Sequence, residues 1–139
     1  MEWKEALPLL QENHTGVAIS VTPKGRAQST VVSTAVLDGK VGFASRPRTV
    51  KVKNIERTGR ATVTVIKLDT RRYVTVEGPA SIEPWQDTST HIKRLKDLYV
   101  AMDRAPKSDE DFTRQMRDEQ RSLVLVSPER LYGSLRSGA

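Results

Sequence analysis

Residues 61–68, ATVTVIKL, alternate small apolar and polar side chains with a period of two. That is the spacing of a strand with one face buried. The same reading extends along most of the chain and predicts six strands. GVAISV (16–21) runs into the turn TPKG, and AQSTVVSTAVL (27–37) follows as one long strand. Asp38-Gly39 is a two-residue hairpin signal and leads into KVGFAS (40–45). After residues 61–68 and the turn DTRR comes RYVTVEGPASIE (72–83), in which Gly78 and Pro79 mark a bulge or an edge. SLVLVS (122–127) is the last strand and ends before PERLYG.

Helical spacing appears in four places. Residues 4–13 put Trp3, Leu7 and Leu10 on one face, with Pro8 expected in the first turn, where its missing N–H does no harm. Thr49 caps a short helix over 50–57, and Gly59 suits the position beyond its end. Ile92, Leu95, Leu98, Tyr99 and Met102 recur at helical spacing between Thr88 and Asp103. Ser108 and Asp111 resemble a capping box that opens a helix bearing Phe112 and Met116. SLRSGA reads as a C-terminal tail. The elements together predict a mainly β fold with α: a six-stranded antiparallel barrel, one short helix inserted in it and a helical excursion before its last strand. Closure, or a partner, would remove the strand edges.

A chain of 139 residues suits a single domain spanning 1–139. Apolar residues make up 37% and aromatic residues only 5%, which is thin for a monomer and points to a second chain completing the core. The net charge of +6 favours anionic partners. Without cysteine, disulfides and thiolate chemistry are excluded. No run of 18 apolar residues is present and the N-terminus does not read as a signal peptide, so no membrane association and a cytoplasmic location are expected.

No G-x-x-x-x-G-K-[ST] or G-x-G-x-x-G loop occurs. His14 and His91 are far apart, so no metal site is expected; His14 falls near a helix end and His91 on the solvent side of its helix. The acidic SDED (108–111) complements a helix dipole. The most concentrated chemistry is in residues 44–60, where Arg46, Arg48, Lys51, Lys53, Arg57 and Arg60 crowd around a helix start. Lys51 and Asn54 share a helix face with Thr58 near it, while Val52 and Ile55 can face the core. A hydroxyl, exposed amides and a lysine are the parts of a phosphate site. A solvated basic helix has the same composition, and spacing alone does not choose between them. Ser29 and Ser33 share one face of their strand, suited to a planar polar ligand or to partial exposure.

The order GVAISVTPKGRAQSTVV, LDGKVGFAS, TVKVKNIERTGRATVTV, RYVTVEGPASIE and RSLVLVSPERLYG resembles the split-barrel flavin and deazaflavin oxidoreductases, the superfamily of pyridoxamine phosphate oxidase. Within it the chain is most similar to the small reductases that use the deazaflavin coenzyme F-420, over roughly residues 15–133. The resemblance implies a homodimer with a cofactor in each interface groove. It places the cofactor phosphate at Ser45, Arg46, Thr49, Val50, Lys51 and Asn54, and the ring system over Ser29 and Ser33. Arg71 and Tyr73 would come from the partner chain or the groove wall. Many relatives carry a basic residue where this chain has Thr49, a charge that Arg46 or Arg48 would replace.

The implied reaction is hydride transfer from the reduced deazaflavin to an electron-poor double bond of a small organic substrate. No side chain is assigned as catalytic, and packing is the expected role of Tyr73 and Tyr132. FMN is the alternative cofactor. A nucleic-acid-binding barrel is the least suited reading, because the central strands offer only Phe43 and Tyr73 for stacking.

Overall fold

The computed structural model describes residues 1–136 as four helices and eight strands. The order is α1 (Trp3–Glu12), β1 (Thr15–Val21), β2 (Ala27–Ser33), β3 (Ala35–Leu37), β4 (Lys40–Ser45), α2 (Val50–Thr58), β5 (Arg60–Lys67), β6 (Arg72–Glu83), α3 (Ser89–Ala101), α4 (Asp109–Glu119), β7 (Ser122–Val126) and β8 (Arg130–Ser134). The six-strand expectation is therefore corrected to eight. The run 27–37 is two strands, broken at the buried Thr34, whose N–H bonds the His14 carbonyl at 2.9 Å. The chain also re-enters the sheet after Val126, as β8.

Every pairing is antiparallel, and the sheet order is β2-β1-β5-β6-β7-β4-β3, with β8 alongside β6. The two outermost strands, β2 and β3, are consecutive in the chain and separated only by Thr34. A sheet can have its two ends one residue apart only if it curls round on itself, so the topology alone requires a barrel-like wall.

The long strand β6 serves both halves of that wall. Residues 72–79 pair with β5, while residues 80–83 pair with β7 and 73–77 with β8. Strands β7 and β8 are thus one antiparallel partner of β6, interrupted at Ser127–Glu129. The interruption bulges over Gly78: Ser127 N–H bonds the Pro79 carbonyl at 2.8 Å and Glu129 N–H bonds that of Glu77 at 3.1 Å. The bulge expected at Gly78-Pro79 is real, but the extra residues lie on the facing strand.

Two apolar clusters share β4 and β7 as a common wall. Val41, Phe43, Val124 and Val126 point into the barrel beside Ile55 and the buried side of α1. Leu123 and Leu125 point outward against Leu95, Leu98, Phe112 and Met116 of α3 and α4. With both faces covered, SLVLV has no exposed residue and reads as an unbroken apolar run.

Helix α2 begins and ends as its sequence dictates. The Thr49 hydroxyl accepts from Val52 N–H at 3.4 Å, and Gly59 takes the left-handed conformation at φ 68°. The Asp38-Gly39 turn has φ 55° and 69°, as a hairpin of that sequence requires. Helix α1 differs from expectation, since Pro8 sits inside it and Ala6, Leu9 and Leu10 form its buried side. The burial of that face outweighs the one backbone bond that proline cannot donate. His91 is also corrected: it is buried, edge-on to Trp85 at 5.4 Å, with Nε2 2.9 Å from the Arg121 carbonyl. Of the tail predicted at 134–139, Ser134 ends β8 and Leu135 packs on the barrel core; residues 137–139 lie outside the described residues.

Candidate functional site

Where β4 leaves the sheet, the chain turns through Arg46-Pro47-Arg48 and starts α2. A cleft of about 340 Å³ opens there, lined by Val31, Val32 and Ser33 of β2, Ala44 and Ser45 of β4, and Arg46, Thr49 and Lys51. Its other wall is Tyr99 and Met102 at the end of α3, Arg104 after it, and Arg121 just before β7. That is within the size range of small-molecule sites.

Among the described residues, four cations and no carboxylate line the cleft. Arg46 and Arg121 share one acid behind it, Glu119, at 3.7 and 3.1 Å. Arg104 donates to the Ser33 hydroxyl at 3.2 Å, and the Lys51 ammonium has neither ion pair nor hydrogen bond among the described residues. Partial burial, followed by repulsion from Arg121, holds the Lys51 ammonium below its ordinary value. The hydroxyls of Ser45 and Thr49 lie 3.0 Å apart on the turn that carries Arg46. The first amides of α2 precede the ones that the Thr49 hydroxyl and carbonyl occupy, and a helix leaves such early amides without an internal partner. A partly buried ammonium beside hydroxyls and a helix start is a fit for an anionic group such as a phosphate.

The opposite wall adds an aromatic ring and a thioether to its two arginines. Tyr99 meets Phe112 edge-on at 5.1 Å, and burial raises its phenol above the ordinary value despite the arginines around it. It therefore stays protonated at neutral pH and offers a donor, not a phenolate. Val31 is 72% exposed, an unusual state for a valine unless something covers it.

Of the residues expected from sequence, Ser33, Ser45, Arg46, Thr49 and Lys51 meet in this cleft. Ser29 is exposed on the same face of β2 but does not line it, and Val50 is exposed at the start of α2. Asn54 does not share the Lys51 environment. It is buried, donates to the Ser20 hydroxyl at 3.1 Å and accepts from Arg57 at 3.0 Å, tying α2 to the barrel. Arg71 lies in the β5–β6 turn at φ 58° and Tyr73 is the second residue of β6, opposite Ile66, both outside the cleft. Tyr132 is 42% exposed beneath Arg130. Sequence reasoning missed Tyr99, Met102, Arg104 and Arg121 as lining residues. Among the described residues no cluster of metal-ligating side chains occurs, and no helix is long and apolar enough to cross a membrane.

Residues 3–134 match the pyridoxamine 5′-phosphate oxidase family. The chain belongs to that family. No curated protein matches it. Among solved structures, a conserved hypothetical protein of Mycobacterium tuberculosis is similar at 23% identity and TM-score 0.74, over 96% of this chain and 84% of that one. An F-420 reductase is similar at 21% identity and TM-score 0.65, over 90% of this chain and 94% of its own. An FMN-binding, pyridoxamine 5′-phosphate oxidase-related protein of Nostoc punctiforme is similar at 14% and 0.68, over 94% and 82%. Identities this low establish the split-barrel fold shared within the family.

Proposed function

We propose that this chain is a reductase that binds the deazaflavin coenzyme F-420 in the cleft between β4–α2 and α3, and works as a homodimer in the cytoplasm on a small organic substrate. The observation that carries the reading is the charge of the cleft: four lining cations against the single carboxylate behind them. A cofactor with a phosphodiester and a polyanionic tail matches that excess better than FMN, whose one phosphate needs less. Bound and reduced, F-420 would supply a hydride to an electron-poor double bond.

The residues of the chain divide the rest of the work. Lys51, Thr49 and the start of α2 would hold the phosphate, with Arg46 and Arg121 beside it. Val31 and Met102 would give the cofactor rings an apolar bed and keep water from one side. Tyr99 offers a protonated hydroxyl to the substrate oxygen, where solvent can also deliver a proton.

FMN is the second reading, favoured by the family match and by the FMN-binding relative. Titration of purified protein with both cofactors, followed by fluorescence, separates the two. F-420 is expected to quench and bind more tightly. Tighter FMN binding would replace the first reading with the second, and binding of neither would remove both.

The homodimer is tested by sedimentation. Val31 at 72% exposure beside the cleft and the unpaired outer edge of β2 are surfaces that a second copy would cover. Sedimentation at micromolar concentration is expected to give a dimer; a monomer would leave the cleft open on that side and defeat the dimeric part of the proposal.

A further inference from the structure

Behind the cleft is a carboxylate in an awkward place. Glu119 is the last residue of α4, at the negative end of the helix dipole, and its side chain is only 8% exposed. Both circumstances disfavour a charged acid unless cations compensate it. Three groups do. Arg121 Nε donates to Glu119 Oε1 at 3.1 Å, Gln115 Nε2 donates to the same oxygen at 3.2 Å, and Arg46 lies at 3.7 Å. Helix α4 stops at Gln120 in the left-handed conformation, φ 52°, which turns the chain so that Arg121 folds back onto Glu119. The Arg121 carbonyl is itself fixed by His91. Arg121 is thus held at its backbone and at its guanidinium, while Lys51 nearby repels it.

Taking the cleft as an anion site, as the proposed function does, we infer that Glu119 is a positioning residue. Its carboxylate keeps the Arg121 guanidinium at the cleft wall against the repulsion of Lys51, and holds Arg46 more loosely at the rim. Without it, Arg121 would swing toward solvent and the cleft would lose its most fixed cation. Glu119 does not line the cleft; it acts through Arg121.

The sign of one effect tests this. An acid that merely stands near an anion site repels the anion, so Glu119→Gln would tighten binding. An acid that positions Arg121 does the reverse, and Glu119→Gln should weaken F-420 binding about tenfold, the scale of one charge-assisted hydrogen bond. Arg121→Ala should weaken it similarly, and the double variant should be no weaker than Arg121→Ala alone, because the two act as one unit. Arg121→Lys keeps the charge but loses the planar Nε donor, and should also weaken binding; it guards against a Glu119 variant that fails to fold. Unchanged or tighter binding by Glu119→Gln, or fully additive losses, would overturn the inference. Inorganic pyrophosphate as a second titrant carries the same comparison if neither flavin binds wild type, an outcome that would defeat the proposed function alone. The ligand-free readout is the Arg121 Nε–H resonance in NMR: slow to exchange in wild type and lost in Glu119→Gln. A resonance that survives the substitution would sink the positioning role whatever the cleft binds.

Discussion

Lys51→Ala should weaken cofactor binding about ten- to hundred-fold while leaving the melting temperature unchanged or slightly raised. Hydrogen bonds to a charged group contribute about 1.5–3 kcal/mol, which sets the affinity range. Stability should not suffer, because Lys51 has no carboxylate partner among the described residues to lose, and its partly buried charge faces repulsion from Arg121. The lowered ammonium value fixes the pH signs. A lysine whose folded value lies below its ordinary 10.5 costs the free protein stability at neutral pH, and that cost is relieved as pH rises through the folded value. A bound anion favours the charged form, so affinity should fall as pH rises through the same region, and that limb should vanish in Lys51→Ala. Lys53→Ala is the matched control: it is exposed, about 200° around the helix, and should bind like wild type. Cofactor titrations across pH beside thermal melts check all of this. If Lys51→Ala and Lys53→Ala both bind like wild type, the phosphate is held elsewhere and the basic start of α2 is a solvated surface.

Half of the cleft was legible because it is local. Ser45, Arg46, Thr49 and Lys51 are near neighbours in sequence, and a cap residue ahead of a basic first turn announces itself. The other half comes from α3 and from the residue before β7, brought over by the fold. Tyr99 and Met102 fit the apolar stripe of α3, and nothing local distinguishes a stripe that faces a cleft from one that faces a core. Arg104 follows a helix end at Asp103, φ 61°, and Arg121 follows another at Gln120; neither left-handed stop carries glycine, so the sequence did not flag them. Helical spacing put Asn54 on the face of Lys51, whereas the buried Ser20 hydroxyl draws its amide inward.

The strands show the same division. β5 and β6 were readable nearly to the residue, since alternation and turn residues agree there. The break at Thr34 was hidden because apolar and polar positions continue across it without a turn signal. β8 was hidden by Pro128 and Gly133, which argue against a strand on composition. The bulge absorbs the proline, and so its facing glycine becomes a place to test the architecture.

Gly78→Ala should destabilise the fold by roughly 3 kcal/mol, the upper end of ordinary overpacking, because the obstruction is backbone. A Cβ at residue 78 would overlap the Ser127 carbonyl oxygen and lie 3.0 Å from Glu129 N. A flexible side chain could move aside; this carbonyl cannot do so cheaply. The segment is pinned by Ser127 N–H on the Pro79 carbonyl and by Glu129 N–H on that of Glu77, so relief means giving up one of these bonds. Either loss loosens the junction at which one strand partner of β6 passes from β7 to β8. A domain of this size should lose about 10 °C in melting temperature. Ser81→Ala, three residues along β6 and exposed, is the control and should change stability by about 0.5 kcal/mol or less. The cleft lies at the β4–α2 turn, away from the bulge, so Gly78→Ala should still bind cofactor with near wild-type affinity well below its melting temperature. A variant that melts like wild type would mean that the bulge yields freely. The strand 122–134 would then be held to β6 less tightly than its hydrogen bonds indicate.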